Sequence, residues 1–426
     1  MKQLEYSRIG ERVFYETLEN GLSVFVNQKP GFQKSYAFFA TNYGGNDTRF
    51  FLDGDWHDTP AGVAHFLEHK MFDTKDGNAL QELAANGASP NAFTSNAITG
   101  YFFECTEKFE ENLKILLSFV SIPWFTPESV DKEQGIIGQE IRMIEDNPDW
   151  CVFVNLMRAL YQHHPIRNSV AGTVESIAEI TADTLYACHK AFYHPGNMVL
   201  CVAGDVDAER ICALAREILP RGQQEKIGRD YGPEEPEQAA QREYEQTMTV
   251  SAPMFQLGVK LKPAEKGREA LQQKLLAELT CEAWLGNSTG IYARLYHQGL
   301  LNNSFSYGYE ACPGCAFLCA GGESSNPRQV YQSLLEEAGR LSRVGIDPSL
   351  WERLKKAAYG NMVRQLNSFQ SQCISQAEGF FYGYDSLDFP EVFEHIHRED
   401  AQTLLREFVT EGRTALSVIW PREEKA

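Results

Sequence analysis

The chain has 426 residues and a formal net charge of −19, with 43% hydrophobic and 23% charged residues. This length predicts two or more domains of ordinary globular composition, and the acidic balance excludes the basic face that nucleic-acid binding requires. The N-terminal segment lacks the apolar core of a signal peptide, and no run of about 18 apolar residues predicts a membrane span, so we expect a cytoplasmic protein. The ten cysteines are scattered among apolar neighbours, which is typical of buried free thiols.

Hydrophobic periodicity in the first half predicts alternating strands and helices. Strands are predicted at 13–16, 23–27, 35–42, 92–95, 98–105 and 198–203. Helices are predicted at 59–72, 78–86, 109–120, 127–146, 150–160, 183–192 and 208–219. Pro60 suits the first turn of the first helix, and Gly87 suits the end of the second.

A polar stretch at 223–242, rich in Glu, Gln and Pro, has the composition of a linker and lies near the middle of the chain. The same order of features occurs on both sides of it. A helix ends in Gly87 or Gly299, and an Asn-rich segment, an apolar strand, a helix that starts near a proline and a final strand follow. We therefore predict domains at 1–222 and 243–426. The predicted fold class is α+β, with two homologous halves that are each a mostly antiparallel sheet covered by helices.

A CxxC motif in the second half, Cys312-Pro313-Gly314-Cys315, has two interpretations. Such a pair can contribute to zinc or redox chemistry, but no second pair accompanies it here. Because Pro-Gly is a turn dipeptide, we favour an ordinary hairpin turn.

The most informative motif is His65-Phe66-Leu67-Glu68-His69 on the predicted helix 59–72. Residues four apart share one helix face, so both imidazoles can reach one metal ion, and imidazole suits zinc. Glu68 borders that face beside the ligands, where a general base acting on a zinc-activated water belongs. The order HxxEH is the signature of the inverzincin peptidases, although a five-residue pattern can also match by chance.

A catalytic zinc ion needs three protein ligands and an open position, so a third ligand should come from another element. The predicted helix 127–146 offers Glu133 and Glu140, which lie two turns apart on one face. Other acidic side chains of this helix are expected to be solvated, as charged residues of amphipathic helices usually are. They are Glu128, Asp131, Glu145 and Asp146.

Longer segments around these residues resemble the pitrilysin/insulysin inverzincins, a family that includes the mitochondrial processing peptidases. The segments are AGVAHFLEHKMFDT, SPNAFTSNAITGYFFE, VDKEQGIIGQEIRM and FYHPGNMVLCVAGDV, and they occur in the family's order. The resemblance covers essentially the whole chain, and it is greatest to bacterial members whose subunit has about this size. It implies a fold of two homologous α+β halves that close like a clamshell.

The resemblance implies roles for individual residues. The family's zinc ligands fall on His65, His69 and Glu140, and its general base falls on Glu68. A second acidic residue of the family falls on Glu133, which would orient the ring of His65 or His69 without binding the metal itself. Together these roles imply one Zn²⁺ per chain and a metalloendopeptidase that hydrolyses peptides or unfolded segments.

The family holds its substrate as an extra strand at a sheet edge, through main-chain hydrogen bonds. The pattern Asn91-Ala92-x-Thr94 falls on that edge strand, so Asn91 and Ala92 are the implied substrate contacts. The alternative is that Asn91 only turns the chain before the strand.

One family feature is missing from the second half. Active members usually carry an Arg and a Tyr seven residues apart around a Gly-Leu, where they hold the substrate carbonyl and stabilise the oxyanion. Around Gly299-Leu300 these places fall on Leu295 and Asn302, and Arg294 is one residue off. Some bacterial members divide the zinc motif and the Arg/Tyr pair between two chains. We therefore expect a homologous partner subunit that supplies the pair, with a homodimer as the alternative.

The second half also lacks a metal site of its own. It has no HxxEH, and counting from the helix-start proline puts Asn361 in the place of Glu140. Three functions remain open for the whole chain, and the third is an active enzyme that processes one dedicated peptide. An active zinc endopeptidase accounts for the four metal-site groups of the first half, and a non-catalytic scaffold or assembly subunit of a peptidase-like complex is the alternative.

Overall fold

The computed structural model describes residues 1–222, 227–410 and 412–422. The chain forms two compact units. Unit 1 comprises Met1–Ile141, Ser169–Tyr231 and Val363–Asp388. Unit 2 comprises Arg142–Asn168, Gly232–Met362 and the described residues from Phe389 onward. Each unit therefore includes a segment from the opposite half of the sequence, unlike the continuous domains 1–222 and 243–426 that the repeat predicts.

The strands of the first half alternate with helices, as the periodicity predicts. They are β1 (Lys2–Tyr6), β2 (Glu11–Thr17), β3 (Ser23–Gln28), β4 (Ser35–Thr41), β5 (Arg49–Leu52), β6 (Asp55–Asp58), β7 (Asp73–Thr74), β8 (Gly77–Asn78), β9 (Ser89–Thr94), β10 (Thr99–Cys105), β11 (Met198–Gly204) and β12 (Gly228–Arg229). The strands of the second half are β13 (Glu243–Met248), β14 (Met254–Leu261), β15 (Ser306–Cys312), β16 (Cys315–Glu323) and β17 (Thr414–Pro421).

The helices are also distributed over both halves of the chain. Those of the first half are α1 (Val63–Met71), α2 (Ala79–Ala85), α3 (Phe109–Ser121), α4 (Pro127–Glu145), α5 (Pro148–Leu160), α6 (Val174–Ala178), α7 (Ala182–Phe192) and α8 (Ala208–Ile218). Those of the second half are α9 (Arg268–Leu285), α10 (Gly290–His297), α11 (Pro327–Val344), α12 (Pro348–Gln365), α13 (Phe369–Tyr382), α14 (Phe389–Glu394) and α15 (Arg398–Phe408).

The main sheet of unit 1 has the order β1-β2-β3-β11-β4-β10-β9. Its strands are antiparallel except for the parallel pair β3 and β11. The main sheet of unit 2 has the order β13-β17-β14-β16-β15, with one parallel pair, β13 and β17. The second sheet thus repeats the order and the strand directions of β3-β11-β4-β10-β9. This correspondence confirms the predicted α+β fold of two similar, mostly antiparallel halves.

Two helices explain why the units are not continuous in sequence. Helix α13 packs on β4 and β11 of unit 1, and Phe369, Cys373 and Ala377 join a core that includes Phe38 and Cys201. Helix α5 packs on β13, β14 and β17 of unit 2. Both helices have an apolar face, and an apolar face stabilises whichever sheet it covers. Hydrophobic periodicity predicts α5 at 150–160 but does not reveal which sheet this helix covers.

The predicted linker 223–242 is ordered wherever the structure describes it, and its residues 223–226 lie outside the described residues. In unit 1, β12 pairs with β5, and Arg229 forms an ion pair with Asp47 through Nε at 3.0 Å. In unit 2, Glu235 forms an ion pair with Lys260 at 2.7 Å. The described residues of this polar stretch are therefore held by specific ion pairs.

Candidate metal centre

Helix α1 begins directly after a glycine that the fold requires. Gly62 has a φ of 97°, which an L side chain rarely adopts, and a Cβ there would lie 2.6 Å from the carbonyl oxygen of Ala171. The predicted helix start at 59 was therefore wrong, and Pro60 precedes the helix. The sharp turn at Gly62 sets the direction in which α1 leaves the loop.

Helix α1 presents His65 and His69 side by side on one face. Their ring centroids lie 4.6 Å apart, as residues one turn apart on a helix should. Glu140 approaches both rings from α4. Its Oε1 lies 3.6 Å from Nε2 of His65, and its Oε2 lies 3.5 Å from Nε2 of His69. The structure thus brings the three predicted zinc ligands together.

The donor set fits a tetrahedral zinc ion. Zinc binds imidazole nitrogen and carboxylate oxygen at about 2.0–2.2 Å, so two ligand atoms of a tetrahedron lie roughly 3.4 Å apart. The two separations between the imidazole nitrogens and the Glu140 oxygens are close to that value. One atom from each of the three residues lies within 4.8 Å of the others. Two imidazoles and one carboxylate also match the ligand type of catalytic zinc sites, which keep a fourth position open.

The protonation of the two histidines differs because their surroundings differ. Burial, together with the neighbouring His69, lowers the pKa of His65 to about 3, so its ring is the neutral imidazole that binds metals. Burial also lowers the pKa of His69, but a hydrogen bond to Glu133 and the charges of Glu68, Glu140 and Glu133 outweigh it and raise the pKa. Nδ1 of His65 is buried without a hydrogen-bond partner among the described residues.

Glu133 lies where it can orient one imidazole. Its Oε1 is 3.2 Å from Nδ1 of His69, the ring nitrogen on the side away from Glu140. A carboxylate in this position fixes the tautomer and the orientation of a metal-binding imidazole. The sequence left open whether His65 or His69 is the partner, and the structure shows that it is His69.

Other acidic side chains on α4 or directly after it have no such contact with a histidine. Glu128, Asp131, Glu145 and Asp146 are all exposed, as expected for the outer face of an amphipathic helix. The two inward-facing carboxylates, Glu133 and Glu140, are therefore distinguished from the rest of the helix by position as well as by their partners.

Glu68 lies beside the three ligand side chains and is buried. Its Oε2 accepts a hydrogen bond from the hydroxyl of Thr94 at 2.7 Å. Burial raises the pKa of Glu68, the bond from Thr94 and the charge of His69 lower it, and the charge of Glu140 raises it, with a net increase. Thr94 had no assigned role in the sequence. The pattern Asn91-Ala92-x-Thr94 contains it, but only the packing of α1 on β9 reveals its partner.

Asn91 and Ala92 lie on β9, which is the last strand of the main sheet of unit 1. β9 pairs with β10 on one side, and no described strand pairs with its other side. Oδ1 of Asn91 accepts a hydrogen bond from the backbone N–H of Ala92 at 2.8 Å. Their role as substrate contacts remains a prediction, and its premise, a position on an edge strand, agrees with the sheet order.

The places where the resemblance puts the family's Arg and Tyr carry Leu295 and Asn302. Leu295 is buried in unit 2, and Asn302 is exposed and donates a hydrogen bond to the carboxylate of Glu323 at 2.9 Å. Arg294 is exposed on α10.

The CxxC motif forms the predicted hairpin turn. Cys312 ends β15 and Cys315 begins β16, and the two residues are register partners across the turn. His164 lies close enough to both thiols that the three could share a metal ion. However, Nε2 of His164 lies 2.9 Å from the carbonyl oxygen of Pro313, and Nδ1 accepts a hydrogen bond from the N–H of Ile166 at 3.1 Å. Both ring nitrogens are therefore already engaged by the protein.

Two family models match the chain over consecutive regions. The model described as insulinase (peptidase family M16) matches residues 53–174, which contain the His65, Glu68, His69 and Glu140 cluster. The model described as the peptidase M16 inactive domain matches residues 179–358. Within the described ranges, no helix combines the length and apolar character that crossing a membrane requires.

Similar proteins match along nearly the full chain. The uncharacterized zinc protease YmfH of Bacillus subtilis (strain 168) is 38% identical over 99% of this chain and 100% of its own length. The crystal structure of an M16-like peptidase from Alicyclobacillus acidocaldarius has 32% identity and a TM-score of 0.93, covering 97% of this chain and 99% of that one. A peptidase M16 inactive domain from Pseudomonas fluorescens shares the fold at 16% identity, with a TM-score of 0.78 over 97% of this chain and 99% of that one. The chain belongs to the M16 family of zinc-protease-type peptidases.

Proposed function

We propose that this chain is a zinc-dependent endopeptidase that hydrolyses peptides or unfolded segments. The observation that carries the proposal is the approach of two imidazole Nε2 atoms, from His65 and His69, to the two oxygens of Glu140 at 3.6 and 3.5 Å. The buried carboxylate of Glu68 lies beside them. This combination supplies three metal ligands and one base, the set that metal-assisted peptide hydrolysis needs.

The residues of the chain then have distinct tasks. A zinc ion bound there would act as a Lewis acid that activates a water molecule and polarises the substrate carbonyl. Glu68 accepts a proton from the attacking water while the water oxygen bonds to the carbonyl carbon and the π electrons move to the carbonyl oxygen. Glu68 then delivers this proton to the leaving nitrogen as the C–N bond breaks, and its carboxylate is regenerated.

The edge strand β9 is the proposed docking place for substrate. An extended peptide can add to the free side of an edge strand through main-chain hydrogen bonds, which do not depend on peptide sequence. Asn91 and Ala92 would contribute such bonds near Thr94, whose side chain contacts Glu68. This arrangement favours extended or unfolded chains over folded substrates, because a folded protein rarely presents an unpaired strand.

The oxyanion groups are proposed to come from a second chain. An oxyanion donor typically contributes roughly 3–4 kcal/mol to lowering the barrier, and Leu295 and Asn302 cannot provide one in the family's manner. A homologous subunit that carries an Arg/Tyr pair would complete the site. The alternative function, a non-catalytic assembly subunit, is favoured by the same missing pair and opposed by the four intact metal-site groups.

The test is peptide cleavage by the zinc-loaded full chain, with Glu68→Gln as the matched variant. The substrate is a mixture of unstructured peptides, and cleavage is read by mass spectrometry, with the chain alone and with proteins that co-purify from its source. Glu68→Gln is expected to keep one zinc ion and to lose activity by about 10²–10⁴-fold, since it removes the base and preserves the ligands.

The possible outcomes separate the proposals. Cleavage that appears only with a co-purifying homologous chain supports the divided site. Full cleavage by the chain alone rules out the need for a partner. Absence of cleavage in every condition, with zinc bound, favours the assembly subunit, and an undiminished Glu68→Gln variant removes Glu68 as the base.

A further inference from the structure

Within the described part of the chain, the hydroxyl of Thr94 is the hydrogen-bond partner of the Glu68 carboxylate. The bond joins Oγ1 of Thr94 to Oε2 of Glu68 at 2.7 Å and connects β9 with α1. It is a short bond between a neutral donor and an acid side chain, and such bonds are about twice as strong as those between neutral groups when the acid is ionised. A long side chain such as Glu otherwise has considerable rotamer freedom.

The direction of this bond follows from counting protons. An ionised carboxylate only accepts hydrogen bonds, so Thr94 must donate its single hydroxyl proton to Glu68. The lone pairs of Thr94 then face its neighbour Thr99, whose Oγ1 is 3.3 Å away. The hydroxyl of Thr99 has one proton and two possible acceptors, the carbonyl oxygen of Tyr43 at 2.9 Å and Oγ1 of Thr94 at 3.3 Å, and it donates to the nearer one.

The strand register fixes this set of hydroxyl groups. Thr94 and Thr99 are directly opposite partners in the β9–β10 pairing, so their side chains emerge on the same face of the sheet. Thr99 is fully buried, and the bond to Tyr43 ties its hydroxyl to the loop after β4. The position of the Thr94 hydroxyl is therefore set by the pairing of β9 with β10.

We infer that Thr94 is a positioning residue for the base: its hydroxyl holds Oε2 of Glu68, so that Oε1 is the oxygen that accepts the proton. This inference rests on the proposed function. A base must lie within hydrogen-bond reach of the proton that it removes, and a displacement of about 1 Å can reduce the rate by roughly 100-fold. One fixed oxygen and one reactive oxygen would give the carboxylate a single orientation throughout the reaction.

The same hydroxyl also has an ordinary structural explanation, since buried polar groups need partners. The two explanations differ in what the loss of the hydroxyl changes. A purely structural bond affects folding stability and leaves the turnover of the folded enzyme unchanged. A positioning bond affects kcat and leaves KM unchanged, because Glu68 acts only in the transition state.

The experiment compares Thr94→Val with Thr94→Ser in the zinc-loaded full chain, with its partner if one is required. Valine has nearly the shape of threonine but no hydroxyl, whereas serine keeps the hydroxyl. We expect Thr94→Val to lower kcat by about 10- to 100-fold with KM and zinc content unchanged, and Thr94→Ser to remain close to wild type. Should Thr94→Val not fold, Thr94→Ala removes the same hydroxyl without new methyl groups to accommodate.

Crystal structures of the two variants provide a readout that does not depend on activity. The Glu68 carboxylate is expected to leave its position in Thr94→Val and to keep it in Thr94→Ser. A wild-type kcat in Thr94→Val, or an unmoved Glu68 carboxylate, would overturn the inference. If the wild-type protein fails to cleave peptides, the proposed function fails, and the crystal structures alone decide whether Thr94 positions Glu68.

Discussion

Each unit holds a trio of side chains that could bind a metal ion, and the two trios differ in the state of their histidines. In unit 1 the trio is His65, His69 and Glu140. Both Nε2 atoms face the carboxylate at distances that suit a shared ion and are long for hydrogen bonds. The nitrogen lone pairs are therefore directed toward a point where a cation could lie.

In unit 2 the trio is His164, Cys312 and Cys315, and it is fully buried. Nδ1 of His164 accepts a backbone N–H, so it carries no proton, and Nε2 must then hold the proton that it donates to the carbonyl of Pro313. No nitrogen lone pair remains for a metal ion. Proximity of ligand types is therefore insufficient, because the hydrogen bonds of the imidazole decide whether its nitrogens can bind a cation.

The zinc content of the protein tests whether only the unit 1 trio binds a metal ion. Wild-type protein is expected to bind one zinc ion per chain, and His69→Ala should lower zinc affinity by more than about 100-fold, because even residues that only orient a ligand contribute 10- to 100-fold. The matched variant in unit 2 is the double substitution Cys312→Ala and Cys315→Ala, which should leave one zinc ion bound. Metal analysis after dialysis against a weak chelator measures both.

A different stoichiometry would contradict the distinction between the trios. Two zinc ions in the wild-type chain, with one lost in the double cysteine variant, would mean that His164 gives up its hydrogen bonds to bind metal. If His69→Ala keeps its full zinc content, the unit 1 trio is not the zinc site.

Local sequence patterns predicted the elements that carry the unit 1 trio. Helix α4 was predicted at 127–146 and spans Pro127–Glu145, because a proline begins it and an amphipathic pattern continues through it. The HxxEH spacing predicted the shared face of α1. These features depend on residues a few positions apart, and such spacing is directly visible in a sequence.

Contacts between distant parts of the chain could not be predicted in this way. Thr94 and Glu68 are 26 residues apart, and their bond depends on how β9 packs against α1. The packing of α13 on unit 1 depends on a sheet that forms more than 150 residues earlier in the sequence. Likewise, His164 contacts the CxxC turn only in the folded chain. The sequence therefore predicts the turn but not the histidine beside it.

The ring of His69 contacts the carboxylate of Glu133, whereas the ring nitrogens of His164 contact backbone groups. Glu133→Gln keeps the shape of the side chain but removes the charge that supports the His69 ring. We expect a 10- to 100-fold loss of zinc affinity, measured by competition with a chromogenic chelator. Asp131→Asn is the control, because Asp131 is exposed on the same helix and should not change the affinity. Equal effects of the two substitutions would mean that only the overall charge near the site matters.

In unit 2, an acid group binds the backbone of the segment that carries His164. Glu235 accepts hydrogen bonds from the backbone N–H groups of Gln162, His163 and His164, and it forms an ion pair with the buried Lys260 at 2.7 Å. Burial alone would raise the pKa of Glu235, but Lys260 and the three N–H groups lower it to about 2. The carboxylate thus stabilises the segment that carries His164.

Glu235→Gln should therefore lower stability without changing zinc content. Because the folded-state pKa lies below its ordinary value of 4.5, the carboxylate stabilises the fold above about pH 4.5, and this contribution is lost as the pH falls toward about 2. We expect the variant to lose about 1–3 kcal/mol at pH 7 in urea denaturation, and the difference from wild type to shrink on acidification. Glu237→Gln is the control, since its ion pair with Arg413 is exposed on the carboxylate side and should contribute little. A loss of zinc in Glu235→Gln would contradict a purely structural role for Glu235. A pH-dependent loss of stability with unchanged zinc content supports that role.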